Sequence, residues 1–286
     1  MVAPFITELA LASRPPIGRT MVCGACGLRF TGMRLSDTEV TRLYSGYRGE
    51  AYFRCRHQHE PWYTLSSNCT RGGDPREIHQ RQAELERLLR DSGIWPTIDS
   101  VLDYGGDRGQ FIPAELAAEK WVFEISGAQP MEGVHGTADL ESLHGRTFAL
   151  LMACHIFEHV MDPKAFLAEL AQYLAPAGTI YIEVPLELPA ILSLAPALTN
   201  RWYSWLENHV PLLRAVDFVS TASRTQLGFL PPFGLLKSSE HVNFFDVRSL
   251  SHLLECAGFT CLRMEADSVL RPAGRIGVLR CLAKRM

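Results

Sequence analysis

VLDYGGDRGQFIP, residues 101–113, is an apolar run that ends in an acid and then meets three glycines within five positions. A strand that stops at a tight turn has this pattern. Gly105 and Gly106 permit backbone angles and a close ligand approach that side chains forbid. The spacing predicts a short helix over 110–119, kinked or restarted at Pro113. A strand-turn-helix of this kind can hold a nicotinamide dinucleotide, a nucleotide phosphate or a sulfonium cofactor. It can also be a plain turn with no ligand.

The acids around the turn separate these possibilities. The dinucleotide fingerprint G-x-G-x-x-G is not matched, because the third position counted from Gly105 is Asp107. A carboxylate there repels a pyrophosphate. No G-K-[ST] follows, so the P-loop pattern is absent too. S-adenosylmethionine carries no phosphate; it has an ammonium, a sulfonium, a carboxylate and a ribose diol. Asp103 can balance its cationic end, partly through water. Glu124, near the end of the apolar run WVFEI (121–125), can accept hydrogen bonds from both ribose hydroxyls.

Working outward, strands and helices alternate from residue 100 on. FALLMAC (148–154) is a continuous apolar run of strand length and suits a strand buried on both faces. Asp162-Pro163 opens a helix expected to run to about Leu174. TIYIEV (179–184) is the next strand. Asp246 caps a helix through Ala257, and FTCLRMEA (259–266) and GRIGVLRCLAKR (274–285) close the series. Upstream, residues 76–92 form a helix with Ile78, Ala83, Leu85, Leu88 and Leu89 on one face and charges elsewhere. The pattern predicts an α/β fold: a Rossmann-like, open, mostly parallel seven-stranded sheet with helices on both faces. Residues 185–240 break the rhythm with many prolines and two amphipathic pieces, near 189–198 and 201–216, which predicts a mostly helical insertion. Residues 1–75 have weak periodicity and are expected to form a small N-terminal subdomain of short strands and turns, leaving 76–286 as the main domain.

These blocks resemble class I S-adenosylmethionine-dependent methyltransferases. VLDYGGDRG is similar to their first motif, acid-x-Gly-x-Gly-x-Gly, with Asp103, Gly105 and Gly109 matching and Asp107 at the middle glycine. VFEIS (122–126) resembles the second motif. ADLESL (138–143) resembles the segment that meets the adenine, which implies Asp139 and Leu140. FALLMACHIFEHVMDPKAFLAEL (148–170), LAPAGTIYIEVP (174–185) and HVNFFDVRSLSHLLECAGF (241–259) are similar to later blocks of the family. The resemblance covers roughly residues 76–286. It implies S-adenosylmethionine as cofactor, held by Asp103, Gly105, Gly106, Asp107, Gly109, Glu124, Asp139, Leu140, Cys154 and His155.

The resemblance puts the HIFEH segment beside the cofactor, with side chains toward the acceptor, so His155 is a candidate proton acceptor. His241, which returns from the insertion, is a second. His155 and His159 do not make H-E-x-x-H, and no zinc is expected there. Cys23 and Cys26, in CGACG, are half of a zinc site. Cys55, His57, His59 and Cys69 could complete it at irregular spacing. Some sugar methyltransferases carry an N-terminal zinc-binding domain with two such pairs; this stretch resembles the second pair, and the first is missing. Residues 44–63, dense in Tyr and Arg, read as a packed surface or as one wall of an acceptor pocket for an anionic or sugar-bearing substrate.

Composition narrows the alternatives. The chain has 286 residues, 47% hydrophobic, enough for a sizeable core. Its net charge of -3 supplies no basic footprint for nucleic acid. No apolar run is long enough to span a bilayer. The start, MVAPFITELALASRPP, lacks a basic region and is interrupted by Glu8, so no signal peptide is expected and the location is expected to be cytoplasmic. The expected function is a methyltransferase acting on a small-molecule or sugar-linked acceptor, such as a sugar nucleotide or glycan. The competing reading is a catalytically silent cofactor-binding or scaffolding protein on the same fold.

Overall fold

The computed structural model describes residues 2–11, 20–70, 72–187, 196–223, 227, 231, 240–271 and 274–285. Along the chain, α1 (Pro4–Ile6) precedes β1 (Thr20–Val22) and β2 (Arg29–Thr31), followed by α2 (Asp37–Tyr44), α3 (Glu50–His59), α4 (Leu65–Thr70) and α5 (Pro75–Asp91). Next come β3 (Ser100–Tyr104), β4 (Glu119–Phe123), β5 (His135–Thr137), β6 (Phe148–Cys154), α6 (Pro163–Leu170) and β7 (Leu174–Pro185). The remainder is α7 (Pro196–Glu207), α8 (Val210–Ala222), β8 (Asn243–Phe244), α9 (Val247–Cys256), β9 (Phe259–Arg271) and β10 (Gly274–Arg285). The chain divides into two compact units. One holds residues 1–22, 29–68 and 188–242, the other 23–28, 69–187 and 243–286.

The second unit is built on a seven-stranded sheet in the order β5-β4-β3-β6-β7-β10-β9. Neighbours from β5 to β7 run parallel, and β10 runs antiparallel to both β7 and β9. The seven-stranded, mostly parallel α/β sheet expected from the alternation is therefore present. From β3 the chain moves to β4 on one side, and after β5 it crosses back to β6 on the other. Ligands bind at such a switch point, outside the carboxyl ends of the strands.

Pleating sends alternate residues to opposite faces. Val101 and Leu150 pack with Leu85, Leu88 and Leu89 of α5. Leu102 and Leu151 pack with Leu167 and Leu170 of α6 and with Leu250 and Leu254 of α9. Helices thus cover both faces. FALLMAC forms β6 and is almost wholly buried. Asp162 caps α6 by accepting from the N–H groups of Lys164 and Ala165, and Asp246 and Ser249 form a reciprocal capping box on α9.

Several local expectations need correction. No helix forms over 110–119. The backbone makes successive three-residue turns, Gly109 N–H to Gly106 O, Ile112 to Gly109 and Leu116 to Pro113, because Pro113 brings no N–H to a helical ladder. The helix at 163 ends at Leu170, gives one 3-10 turn, and β7 begins at Leu174, earlier than expected. A register shift at Phe148/Leu150 and a left-handed Ala177 (φ 63°) absorb the extra residues. On α5, Ala83 is exposed, whereas Glu77 and Arg81 are buried.

In the first unit, the described residues 2–11 and 29–68 carry more helix than strand, with α1, α2, α3 and the start of α4 where short strands and turns were expected. Ser36 and Glu39 form a capping box that starts α2. Tyr52 and Arg56, four apart on α3, turn inward together and are buried. Among the described residues of this unit, β1 and β2 pair antiparallel. The amphipathic piece at 201–216 contributes to α7 and α8, while most of the piece at 189–198 lies outside the described residues. Among the described residues, no helix is long and apolar enough to cross a membrane.

Candidate cofactor and active site

The carboxyl ends of β3, β4, β6 and β7 meet at the glycine turn. Asp103, on β3, is fully buried at 0% exposure, and neither carboxylate oxygen has a hydrogen-bond partner. Burial pushes its carboxyl up to about 7; Arg81 draws it down, and Glu124, Asp107 and Glu183 raise it further. The carboxylate lies directly under the turn: a Cβ on Gly106 would sit 2.2 Å from Asp103 Cγ. Only glycine fits there. Gly105 and Gly109 have φ of 66° and 74°, the left-handed region open to glycine.

Asp107 also lies in that region, with φ 56°. Aspartate is one of the few residues that tolerates it. The position where the family pattern has its middle glycine thus keeps glycine-like backbone geometry with an acid in place. Its N–H donates to Glu124 Oε2 at 3.1 Å, and its carboxylate accepts from Gln110 Nε2 at 3.3 Å. The other Glu124 oxygen accepts from the Ser126 N–H at 2.8 Å. Glu124 follows β4, half-buried, and ties the turn after β3 to the turn after β4. Each carboxylate oxygen keeps a further lone pair for a ligand.

Asp139 caps the 3-10 turn Leu140–Leu143, accepting from the Glu141 N–H at 3.0 Å. It is exposed, and Leu140 packs against the core. Cys154 ends β6; burial and the neighbouring Asp103 push its thiol well above the ordinary value. His155 follows with φ 57°, a strained conformation for a histidine. Its N–H donates to Glu183 O at 2.7 Å. Its ring lies between two carboxylates, Nδ1 at 3.1 Å from Glu158 and Nε2 at 3.2 Å from Glu183. Asn243 holds the HIFEH loop by donating from Nδ2 to Phe157 O at 2.9 Å and Val160 O at 2.7 Å. His241 is half-buried and belongs to the other compact unit.

Sequence reasoning missed the charged cluster beneath this site. Glu183, on β7, has 0% exposure and is approached by Arg81 of α5 at 2.6 Å and by Arg280 of β10 at 3.0 Å. Tyr181 donates to it at 3.0 Å, and Arg280 also reaches Asp267 at 2.7 Å. Burial alone would raise the Glu183 carboxyl, but Arg81, His155 and Arg280 outweigh it and hold it well below the carboxylate range. The available signal was a charge inside an apolar strand, Glu183 in YIEVP and Arg280 in VLRCL. Such a charge is rare unless paired.

Cys23 and Cys26 stand on a tight turn closed by the Cys23 N–H to Leu28 O bond, 2.8 Å, with Gly27 at φ 80°. The N–H groups of Cys26 and Ala25 hold the Cys23 thiol below its ordinary value, and burial raises that of Cys26. Among the described residues, neither belongs to a group of three potential metal ligands. Cys55 and His59 group instead with Glu8. The structure thus brings Asp103, Gly105, Gly106, Asp107, Gly109, Glu124, Cys154 and His155 to one sheet edge. Asp139 and Leu140 follow β5.

A doubly wound sheet with a glycine turn over a buried acid defines a class I cofactor-binding fold. Residues 76–263 match the methyltransferase-domain family. That span exceeds half of the chain, and the chain belongs to this family; it is an S-adenosylmethionine-dependent methyltransferase. No curated protein matches the sequence. Among solved structures, it is similar to a 1,6-didemethyltoxoflavin-N1-methyltransferase from Burkholderia thailandensis, with 16% identity and a TM-score of 0.49 over 95% of this chain and 100% of that one. A magnesium protoporphyrin IX methyltransferase from Synechocystis PCC 6803 aligns with 14% identity and a TM-score of 0.42 over 73% and 84% of the two chains. An S-adenosylmethionine-dependent methyltransferase from Mesorhizobium loti aligns with 18% identity and a TM-score of 0.41 over 70% and 96%.

Proposed function

We propose that the turn after β3 cradles the methionine end of S-adenosylmethionine and that the chain methylates a small-molecule or sugar-linked acceptor. The observation that carries the first part is Asp103, a buried carboxylate with no hydrogen-bond partner, packed against a glycine that leaves no room for a side chain. An ammonium group approaching the turn supplies the missing donor and a further positive charge. Gly105, Gly106, Asp107 and Gly109 allow the close backbone approach. Glu124 accepts from the ribose hydroxyls with the lone pairs its two N–H donors leave free. Asp139 and Leu140 meet the adenine, and the backbone at Cys154 and His155 borders the sulfonium. Bound there, the cofactor supplies an electrophilic methyl group.

The protein's part in such a transfer is in-line positioning, with a base where the acceptor is a hydroxyl or carbon acid. His155 is our first candidate. Both of its ring nitrogens face carboxylate oxygens, so the ring must leave Glu158 or Glu183 before it takes an acceptor's proton. His241 is the second candidate. The N-terminal residues 1–75 and the insertion at about 185–240 are proposed to select the acceptor, and their Tyr and Arg content favours an anionic or sugar-bearing group.

A screen of metabolite pools with labelled methyl donor tests the acceptor class. Label in a small sugar-linked or aromatic product supports it, and label in protein or nucleic acid alone rejects it. With the acceptor in hand, His155→Ala is expected to lower turnover at least tenfold while S-adenosylhomocysteine affinity stays within a few-fold. Full turnover in that variant removes His155 as the base.

A further inference from the structure

A group of ligand-type side chains in the first unit is used by nothing described so far. Cys55 and His59 are four residues apart on α3, so they share one face. Glu8 reaches the same place from the turn Thr7–Leu11. His59 Nε2 stands 2.7 Å from a Glu8 carboxylate oxygen. Cys55 Sγ, the His59 nitrogen and the Glu8 oxygen all lie within 4.8 Å of one another. Cys55 is buried; its thiol makes a long contact to Phe5 O, at 3.8 Å, and burial together with the Glu8 carboxylate raises it above its ordinary value. His57 takes no part: its Nδ1 is 2.8 Å from Tyr63 O and its ring stacks on Phe53.

We propose that Glu8, Cys55 and His59 form a site for a divalent transition ion of the zinc type, with one coordination position left open. One sulfur, one imidazole nitrogen and one carboxylate oxygen are a zinc donor set, and three protein ligands leave the fourth tetrahedral position to water. The sulfur weighs against Mg²⁺ and Ca²⁺, which take oxygen ligands. The geometry is within reach of side-chain rotation. Tetrahedral bonds of about 2.0–2.3 Å put ligand atoms about 3.4–3.6 Å apart. The ion therefore opens the His59–Glu8 pair by about 0.7 Å and draws the sulfur in by no more than about 1.2–1.4 Å. On binding, the Cys55 S–H bond breaks, its proton passes to solvent, and the thiolate pair is donated to the metal. No electron is transferred. Affinity consequently rises with pH. The bound ion cross-links the Thr7–Leu11 turn to α3.

The test uses the full chain stripped with chelator and titrated with Co²⁺ alone, a spectroscopic stand-in for zinc. One equivalent is expected to bind and to give a thiolate-to-cobalt charge-transfer band together with tetrahedral visible bands. Cys55→Ser is expected to abolish the charge-transfer band. His59→Gln, at a side chain that is not deeply buried, is expected to weaken binding at least tenfold with far-ultraviolet dichroism unchanged, which guards against misfolding in the cysteine variant. The double variant Cys23→Ser/Cys26→Ser is expected to bind as the parent does. Absence of saturable uptake by the parent, uptake indifferent to His59→Gln, or a band lost only in the Cys23/Cys26 double variant each overturns the proposal.

Discussion

Asp103 titrates in the direction opposite to most carboxylates in folded proteins, and Asp103→Asn turns that into a measurable stability. Its carboxyl lies at about 7 in the folded chain against the ordinary 3.8. Between those values the folded state holds a proton that the unfolded state releases. Stability is therefore greatest below the unfolded value and falls as pH rises through the interval, levelling off above about 7. At about 1.4 kcal/mol per pH decade, the full loss is on the order of 4 kcal/mol. Asparagine keeps the shape and removes the charge, while its amide remains a buried polar group with some cost of its own. Urea unfolding of the cofactor-free protein is expected to show Asp103→Asn more stable than the parent by about 2–4 kcal/mol near pH 8. The gap should shrink toward zero near pH 4. The same variant should bind S-adenosylhomocysteine about 10–100-fold more weakly, because the amide cannot answer the ammonium. In the parent, affinity should climb with pH up to about 7 and then level, since the complex favours the ionised acid. A stability gap that is absent, or that does not change with pH, refutes the assignment of Asp103 as a charge kept waiting for a cation.

Other positions offer shorter tests. Gly106→Ala drives a Cβ into the Asp103 carboxylate; it should cost about 1–3 kcal/mol in urea unfolding and abolish calorimetric cofactor binding. Glu124→Ala should leave the sheet intact by circular dichroism and weaken S-adenosylhomocysteine binding by about 10–100-fold. Glu183→Gln removes the charge that Arg81 and Arg280 share, and a loss of about 3–5 kcal/mol in chemical unfolding is expected near neutral pH. That contribution is present above the ordinary carboxylate range and disappears as pH falls, because the folded value is depressed. Asp107→Val, a β-branched residue at φ 56°, should destabilise by about 1–2 kcal/mol, whereas Asp107→Gly should fold at least as readily.

The sheet was legible because its strands carry their own boundaries. FALLMAC is an apolar run bounded by Thr147 and His155, GRIGVLRCLAKR is a strand-length segment with an apolar centre broken by Arg280, and β6 and β10 coincide with them. Asp162 and Asp246 announced their helices through the N–H groups they satisfy. The turn after β3 was legible in its residues and not in its continuation. A local pattern gives no account of how three-residue turns displace a helix when Pro113 lacks a donor. The N-terminal residues misled for a related reason: Tyr52 and Arg56 are buried through pairing and aromatic stacking with Phe5 and Tyr63, and polar helices of this kind have no hydrophobic stripe. The Arg81–Glu183–Arg280 cluster joins residues about 100 positions apart in sequence. Each charge alone marks only an anomaly in its own element. A separation of 51 positions likewise concealed Glu8 beside His59.

Isothermal titration of the purified chain with S-adenosylhomocysteine and, separately, with NAD bears most directly on the site. Saturable binding of one equivalent of S-adenosylhomocysteine, weakened in Asp103→Asn and in Glu124→Ala and accompanied by no heat from NAD, is the predicted result. Tight NAD binding, or S-adenosylhomocysteine binding indifferent to both substitutions, would contradict the assignment of the turn after β3 as a sulfonium-cofactor cradle.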